Sequence, residues 1–130
     1  MSKLLIAVLL AAFSTSVLAE WTAIGENENS VQYANLSTIR KSGNKVKMWD
    51  LIDLKVVQVD KYDGARYLSL AVQYEYDCKE ETVRMLMFNR HSKNMGAGEV
   101  VYTSGAVHRE PHPISPDSVS EALFKLACGK

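Results

Sequence analysis

The sequence is short of charge imbalance, of cysteine, and of any apolar run beyond its first twenty residues long enough to span a membrane. Fifteen basic residues face fifteen acidic ones, whereas a general nucleic-acid binder needs a clear cationic excess to neutralise phosphates. No GxSxG elbow, P-loop, GxGxxG fingerprint or HExxH helix occurs, so the motif-bearing hydrolase, nucleotide and zinc-protease sites are not encoded. The glycine-rich turn Gly96 to Gly98 precedes no expected helix, which removes it as a phosphate cradle. Two cysteines without a CxxC spacing leave little for redox or zinc chemistry. The expected class is therefore non-enzymatic, with no cofactor.

What is present begins with residues 1–19. Lys3, an apolar run from Leu4 to Phe13 and the small-residue segment ending at Ala19 have the three-part layout of a secretory signal peptide. A membrane span needs about 20 apolar residues and this run is roughly half that. Residues 20–130 then form one exported domain, with no transmembrane segment expected. No cysteine follows Ala19 to carry lipid, so the expected location is the periplasm, or the outside of the cell, without a lipid anchor. An even cysteine pair in an exported chain reads as one disulfide, and Cys78 and Cys128 allow only one pairing.

Short strands separated by turn signals follow. "EWTAIG" and "SVQYA" read as strands, "NLSTIR" as a helical turn or irregular connection, and "RKSGNK" as a turn with Gly43 and Asn44 suited to positive φ. Lys45 to Val59 is β-rich with imperfect alternation: Asp50 interrupts Val46, Met48, Ile52 and Leu54, and either a bulge near Trp49 or burial of both faces would explain it. Arg66 to Cys78 alternates cleanly, with Leu68, Leu70, Val72, Tyr74, Tyr76 and Cys78 on one face. A four-residue loop to the next strand, Val83 to Arg90, predicts Cys78 opposite Val83, Tyr76 opposite Met85 and Asp77 across from Arg84. Val100 to Val107 reads as a further strand, followed by a proline-punctuated connection. The end of the chain predicts a helix that starts at Ser115-Pro116 or at the capping box Ser118 to Glu121. Its apolar stripe would be Val119, Ala122, Leu123, Leu126 and Ala127, with a stop at Gly129. Cys78 ends a strand on its apolar parity and Cys128 ends that helix, so a bond between them would hold the helix across the sheet.

Three clusters have binding character. Arg40, Lys41, Lys45 and Lys47 gather around one turn, suited to an acidic glycan or protein surface, or simply solvated. In an extended segment His108, Glu110 and His112 would project together as weak metal ligands, although three ligands on one strand rarely close a coordination shell. Leu86 and Phe88, in the expected register, share the face away from the helix with Arg84 and Arg90, an apolar pair with a charged rim that a homodimer contact would cover.

Trp21, "YANLSTIRKSGNKVKMWDL", "YEYDC" with "RMLMF" after it, "SKNMGAGEVV" and "ISPDSVSEALFKLAC" together resemble the surface-adhesin protein E family of Gram-negative bacteria. The resemblance implies an α+β fold: one antiparallel sheet of about six strands with a C-terminal helix tied to one face by a disulfide. It implies binding of host matrix and plasma proteins such as vitronectin, laminin and plasminogen. The alternative expectation is a periplasmic inhibitor of a lysozyme-type enzyme, blocking a cleft with the "YTSGAVHRE" loop.

Overall fold

Turn residues divide the chain into hairpins, and each strand folds back beside the one before it. The computed structural model describes residues 20–105 and 109–130; the expected signal peptide and His108 lie outside them. The strands are β1 (Thr22–Glu26), β2 (Ser30–Ser42), β3 (Lys45–Val59), β4 (Arg66–Asp77), β5 (Thr82–His91), β6 (Val100–Ser104) and β7 (His112–Pro113), followed by helix α1 (Val119–Cys128). All pairings are antiparallel; β1 to β6 lie in chain order and β7 adds to β5. This is the expected α+β arrangement, with one very short strand more than anticipated.

"NLSTIR" is neither helix nor connection but part of β2. Its ladder with β3 breaks between Asn35 and Arg40, and side chains take over the lost bonds. Thr38 Oγ1 accepts the Trp49 amide at 3.0 Å and donates to the Asn35 carbonyl at 2.6 Å, so buried backbone groups stay paired. At the β2–β3 turn only Gly43 takes positive φ, as a type II′ turn requires of its first central residue. No bulge occurs at Trp49: β3 pairs continuously with β4 from Lys45 to Asp53, and the irregularity falls between Asp53 and Gln58. Both faces of β3 are buried instead, with Met48 and Asp50 on one side and Leu51 on the other.

Helix α1 begins at the second of its two expected starts. Ser118 is the N-cap, its hydroxyl accepting the Glu121 amide at 3.1 Å, and Gly129 ends the helix in the left-handed conformation. The buried stripe is Leu123, Phe124 and Ala127, while Val119 and Leu126 are exposed. The helix is thus rotated from the expected stripe, because Phe124, the largest apolar side chain on it, packs 6.3 Å from the Tyr76 ring. Beneath lie Ala34, Val46, Met48 and Tyr76. Burying Leu123 and Phe124 contributes roughly 1.5–3 kcal/mol each. Cys78, just past β4, is bonded to Cys128, the last helical residue, across a Cα–Cα distance of 5.7 Å.

The opposite face is covered by a strap, Ser92 to Gly98, containing a 3₁₀ turn at Asn94–Gly96. The hydroxyl of fully buried Ser69 donates to the Lys93 carbonyl and accepts the Gly96 amide, and Asp53 accepts the Met95 amide. Gly98 has φ +76°, and a Cβ there would stand 2.3 Å from Ser92 Oγ. Gly98→Ala should therefore cost about 2 kcal/mol, read as a lowered urea midpoint with unchanged slope.

Candidate functional site

The strands bring chemistry-bearing residues to two ends of the sheet. At one end the β2–β3 turn meets the β4–β5 loop, the Cys78 amide donating to the Asn44 carbonyl at 2.8 Å. Arg40, Lys41, Lys45 and Lys47 all stand exposed here, gathered on one hairpin as their spacing implies. They are not free of acid. Lys45 lies 3.9 Å from Glu75, Lys47 pairs across the ladder with Glu75, and the adjoining loop carries Glu80 and Glu81. Arg40 spends its guanidinium on the carbonyls of Ser37 and Ile39. The field of this end is therefore mixed rather than strongly cationic.

The histidine segment divides at the boundary of the described residues. His108 lies outside them, while Glu110 and His112 are exposed and His112 is taken up by β7 opposite Val83. Among the described residues no three His, Cys, Asp or Glu side chains are gathered closely enough to hold a metal ion.

The β4–β5 register corrects the expected placement of Leu86 and Phe88. The four-residue loop is Cys78 to Glu81, so Asp77 faces Thr82, Tyr76 faces Val83 and Tyr74 faces Met85. Arg84 accordingly meets Glu75, at 2.9 Å, rather than Asp77. A bulge then makes Leu86 the extra residue, because Tyr74 pairs with Met85 but Gln73 with Met87. Every residue after it changes face. Phe88 and Arg90 pair with Val72 and Leu70, on the helix side of the sheet, and do not share a face with Arg84. Leu86 and Phe88 are both partly buried. The apolar pair with a charged rim, the premise of the dimer contact, is not formed.

What Phe88 does instead builds the other end of the molecule. The Arg90 guanidinium carbon lies 4.7 Å from the Tyr67 ring centroid, 5.1 Å from that of Tyr102 and 5.5 Å from that of Phe88, a cation held by three π-faces. Its Nη1 also pairs with Asp60, at the start of the β3–β4 turn. Asp60 accepts the Tyr62 amide at 2.8 Å and the Asp63 amide at 3.1 Å. These bonds, with Arg90 beside them, hold its carboxyl below the usual carboxylate range. Arg90 thus ties the projecting β3–β4 hairpin to β5 and β6. The elements joined by this tie carry exposed Val56, Val57, Val59 and Tyr62 on the hairpin and Val100 and Tyr102 on β6, with Tyr62 98% exposed. Six of the nine large apolar side chains exposed among the described residues therefore belong to the elements that meet at Arg90. Exposed apolar side chains are therefore concentrated on these elements rather than spread evenly over the described surface.

Sequence reasoning missed this surface. Its members come from three separated segments, and only the π-rich ring of Arg90 joins them. The two adjacent valines and further valine of "KVVQV", too apolar for the end of a projecting hairpin, were the available signal. It missed the state of Asp50 as well, although the break in alternation marked the residue. Asp50 is 1% exposed, and burial pushes its carboxyl up to about 7 despite a 2.8 Å hydrogen bond from Gln32.

The family described as surface-adhesin protein E matches residues 21–129. Haemophilus influenzae protein E has a similar structure, with a TM-score of 0.64 at 13% identity over 85% of this chain and 85% of that one. A second crystal form of it gives 0.64 at 13% identity, over 85% and 88% of the two chains. Protein E from non-typeable Haemophilus influenzae gives 0.60 at 15% identity, over 87% and 79%. At these identities the likeness is one of fold. No curated protein matches the chain, and no helix among the described residues is long and apolar enough to cross a membrane.

Proposed function

The chain belongs to the surface-adhesin protein E family, and on that premise we propose that it is an exported, non-catalytic binding protein whose partner is a host extracellular-matrix or plasma protein. Residues 1–19 direct export and residues 20–130 form the binding domain. The observation that carries this reading is the apolar end of the sheet, where Tyr62 and the valines of the β3–β4 hairpin stand out from a base fixed by Arg90 and Asp60. A tyrosine on a rigid hairpin is a low-entropy anchor for a partner's pocket. The basic turn of Arg40, Lys41, Lys45 and Lys47, its field offset by Glu75, Glu80 and Glu81, adds a little to the approach rate rather than supplying the contact.

Binding of the purified exported protein to immobilised matrix and plasma proteins tests the assignment. Tyr62→Ser combined with Val57→Ser should weaken binding at least roughly tenfold, with the circular dichroism spectrum unchanged. Lys41→Glu with Lys47→Glu should change mainly the association rate and its salt dependence. The reverse pattern would move the contact to the basic turn. Absence of binding to every member of the panel at about micromolar concentration would end the host-protein reading. Protease accessibility on intact cells then decides between surface display and a periplasmic pool, where inhibition of a lysozyme-type enzyme becomes the reading to test.

A further inference from the structure

A cavity of about 310 Å³ lies between the first turn of α1 and the sheet, walled by Gln32, Tyr74, Tyr76, Val119, Ser120 and Leu123. Asp50 belongs to the same face of the sheet, paired across to Ala34 on β2 and Val72 on β4. Two of its four diagonal neighbours, Gln32 and Tyr74, are cavity walls. Gln32 Nε2 donates to Asp50 Oδ2 at 2.8 Å, and Asp50 Oδ1 has no partner. Gln32 also lines a smaller adjoining cavity of about 70 Å³ with Gly25, Ser30 and Val119. Gln32, the side chain that partners Asp50, therefore lines both spaces, while Asp50 itself lines neither.

A buried carboxyl oxygen without a partner is expensive, and a protein resolves it with a proton or a cation. No resident cation fills that role, since no lysine or arginine among the described residues makes an ion pair with Asp50. Glu26 of β1 is engaged with Lys55, and Glu121 of α1 with Lys125. Arg109 lies near enough to Tyr74 to ease its hydroxyl's ionisation, yet burial still pushes that hydroxyl up to about 12, so it stays neutral. The Tyr76 hydroxyl is pushed higher by burial and stays neutral too. An anion would be repelled by Asp50, an uncharged apolar molecule would leave Oδ1 unsatisfied, and the metal-ligand count among the described residues is too low. Tyrosine faces, one carboxylate and an apolar wall are the elements that recognise an organic ammonium ion.

We propose that this cavity binds a small alkylammonium ion, its head reaching Asp50 in place of the Gln32 amide and its stem lying against Val119 and Leu123. The site is separate from the hairpin surface and does not depend on the adhesin reading.

The probe is n-butylammonium chloride, with n-butanol as the uncharged counterpart, added to the purified exported protein and followed by amide chemical shifts. At pH 8 the ammonium ion should perturb Gln32, Asp50, Tyr74 and Ser120 with a dissociation constant of about 1 mM, and butanol should bind roughly tenfold more weakly. Asp50→Asn should abolish that difference, and Gln32→Ala, which leaves Asp50 without its amide partner, should strengthen ammonium binding. At pH 6 the proton should compete and weaken it. Equal affinity for the two probes would reduce the site to an apolar void, and an unchanged ammonium response in Asp50→Asn would remove Asp50 from it. Silence at about 100 mM would also overturn the proposal.

Discussion

Cys78→Ser should lower the unfolding free energy by about 4 kcal/mol, the chain-entropy value for a bond joining residues 50 apart in sequence. The helix has few other anchors. It is ten residues long, too short to persist alone in water, and buries only Leu123, Phe124 and Ala127. Once released, it uncovers Val46, Met48 and Tyr76 together. Denaturant unfolding of the oxidised protein and the variant measures the loss directly. Cys128→Ser should match it, and the double variant should cost no more than either single one, because both remove the same bond. A variant within about 1 kcal/mol of the parent would mean that packing alone seats the helix.

Asp50→Asn should have the opposite sign. The unfolded carboxyl titrates near the ordinary aspartate value of 3.8, and burial pushes the folded one up to about 7. Between those values the folded state holds the extra proton, so stability falls as pH rises from about 4 to about 7 and is level above that. A displacement of this size corresponds to about 4 kcal/mol at pH 8. Asparagine keeps the shape and a carbonyl oxygen that accepts from Gln32, without the charge. The variant should therefore be more stable than the parent at pH 8, equal or slightly less stable at pH 4, and nearly independent of pH through this window. A parent protein whose midpoint is flat from pH 4 to 8 would show that Asp50 is ionised at no cost.

The hairpin order, the C-terminal helix and the disulfide were legible because each has a local signature. Alternation from Arg66 to Asp77, the glycine at the β2–β3 turn and the Ser118 cap act over a few residues. What escaped was set by contacts between distant segments. Parity correctly placed Tyr76 and Val83 on one face, but parity repeats every two residues, so it did not distinguish Cys78 from Tyr76 as the partner of Val83. The bulge at Leu86 left no mark, because Met85, Leu86, Met87 and Phe88 are all apolar and fit either face. The surface around Arg90 combines Asp60, Tyr67 and Tyr102, more than forty positions from first to last. Only the folded sheet brings them together.

The chain-order meander also has a kinetic consequence. Pairings between consecutive strands close loops of a few residues, so β1 to β6 can assemble sequentially from local contacts at little entropic cost. Helix α1 is different: it must return from the end of the chain to β1, β2, β3 and β4 at once. Cys128 lies 50 residues after Cys78, so during export from the N-terminus Cys78 arrives well before its partner. A sheet with one open apolar face and a waiting thiol is therefore the natural intermediate, and the bond closes only once Cys128 has followed. With just two cysteines the delay cannot produce a wrong intrachain bond, but it leaves Cys78 open to capture by another chain's thiol until the helix closes.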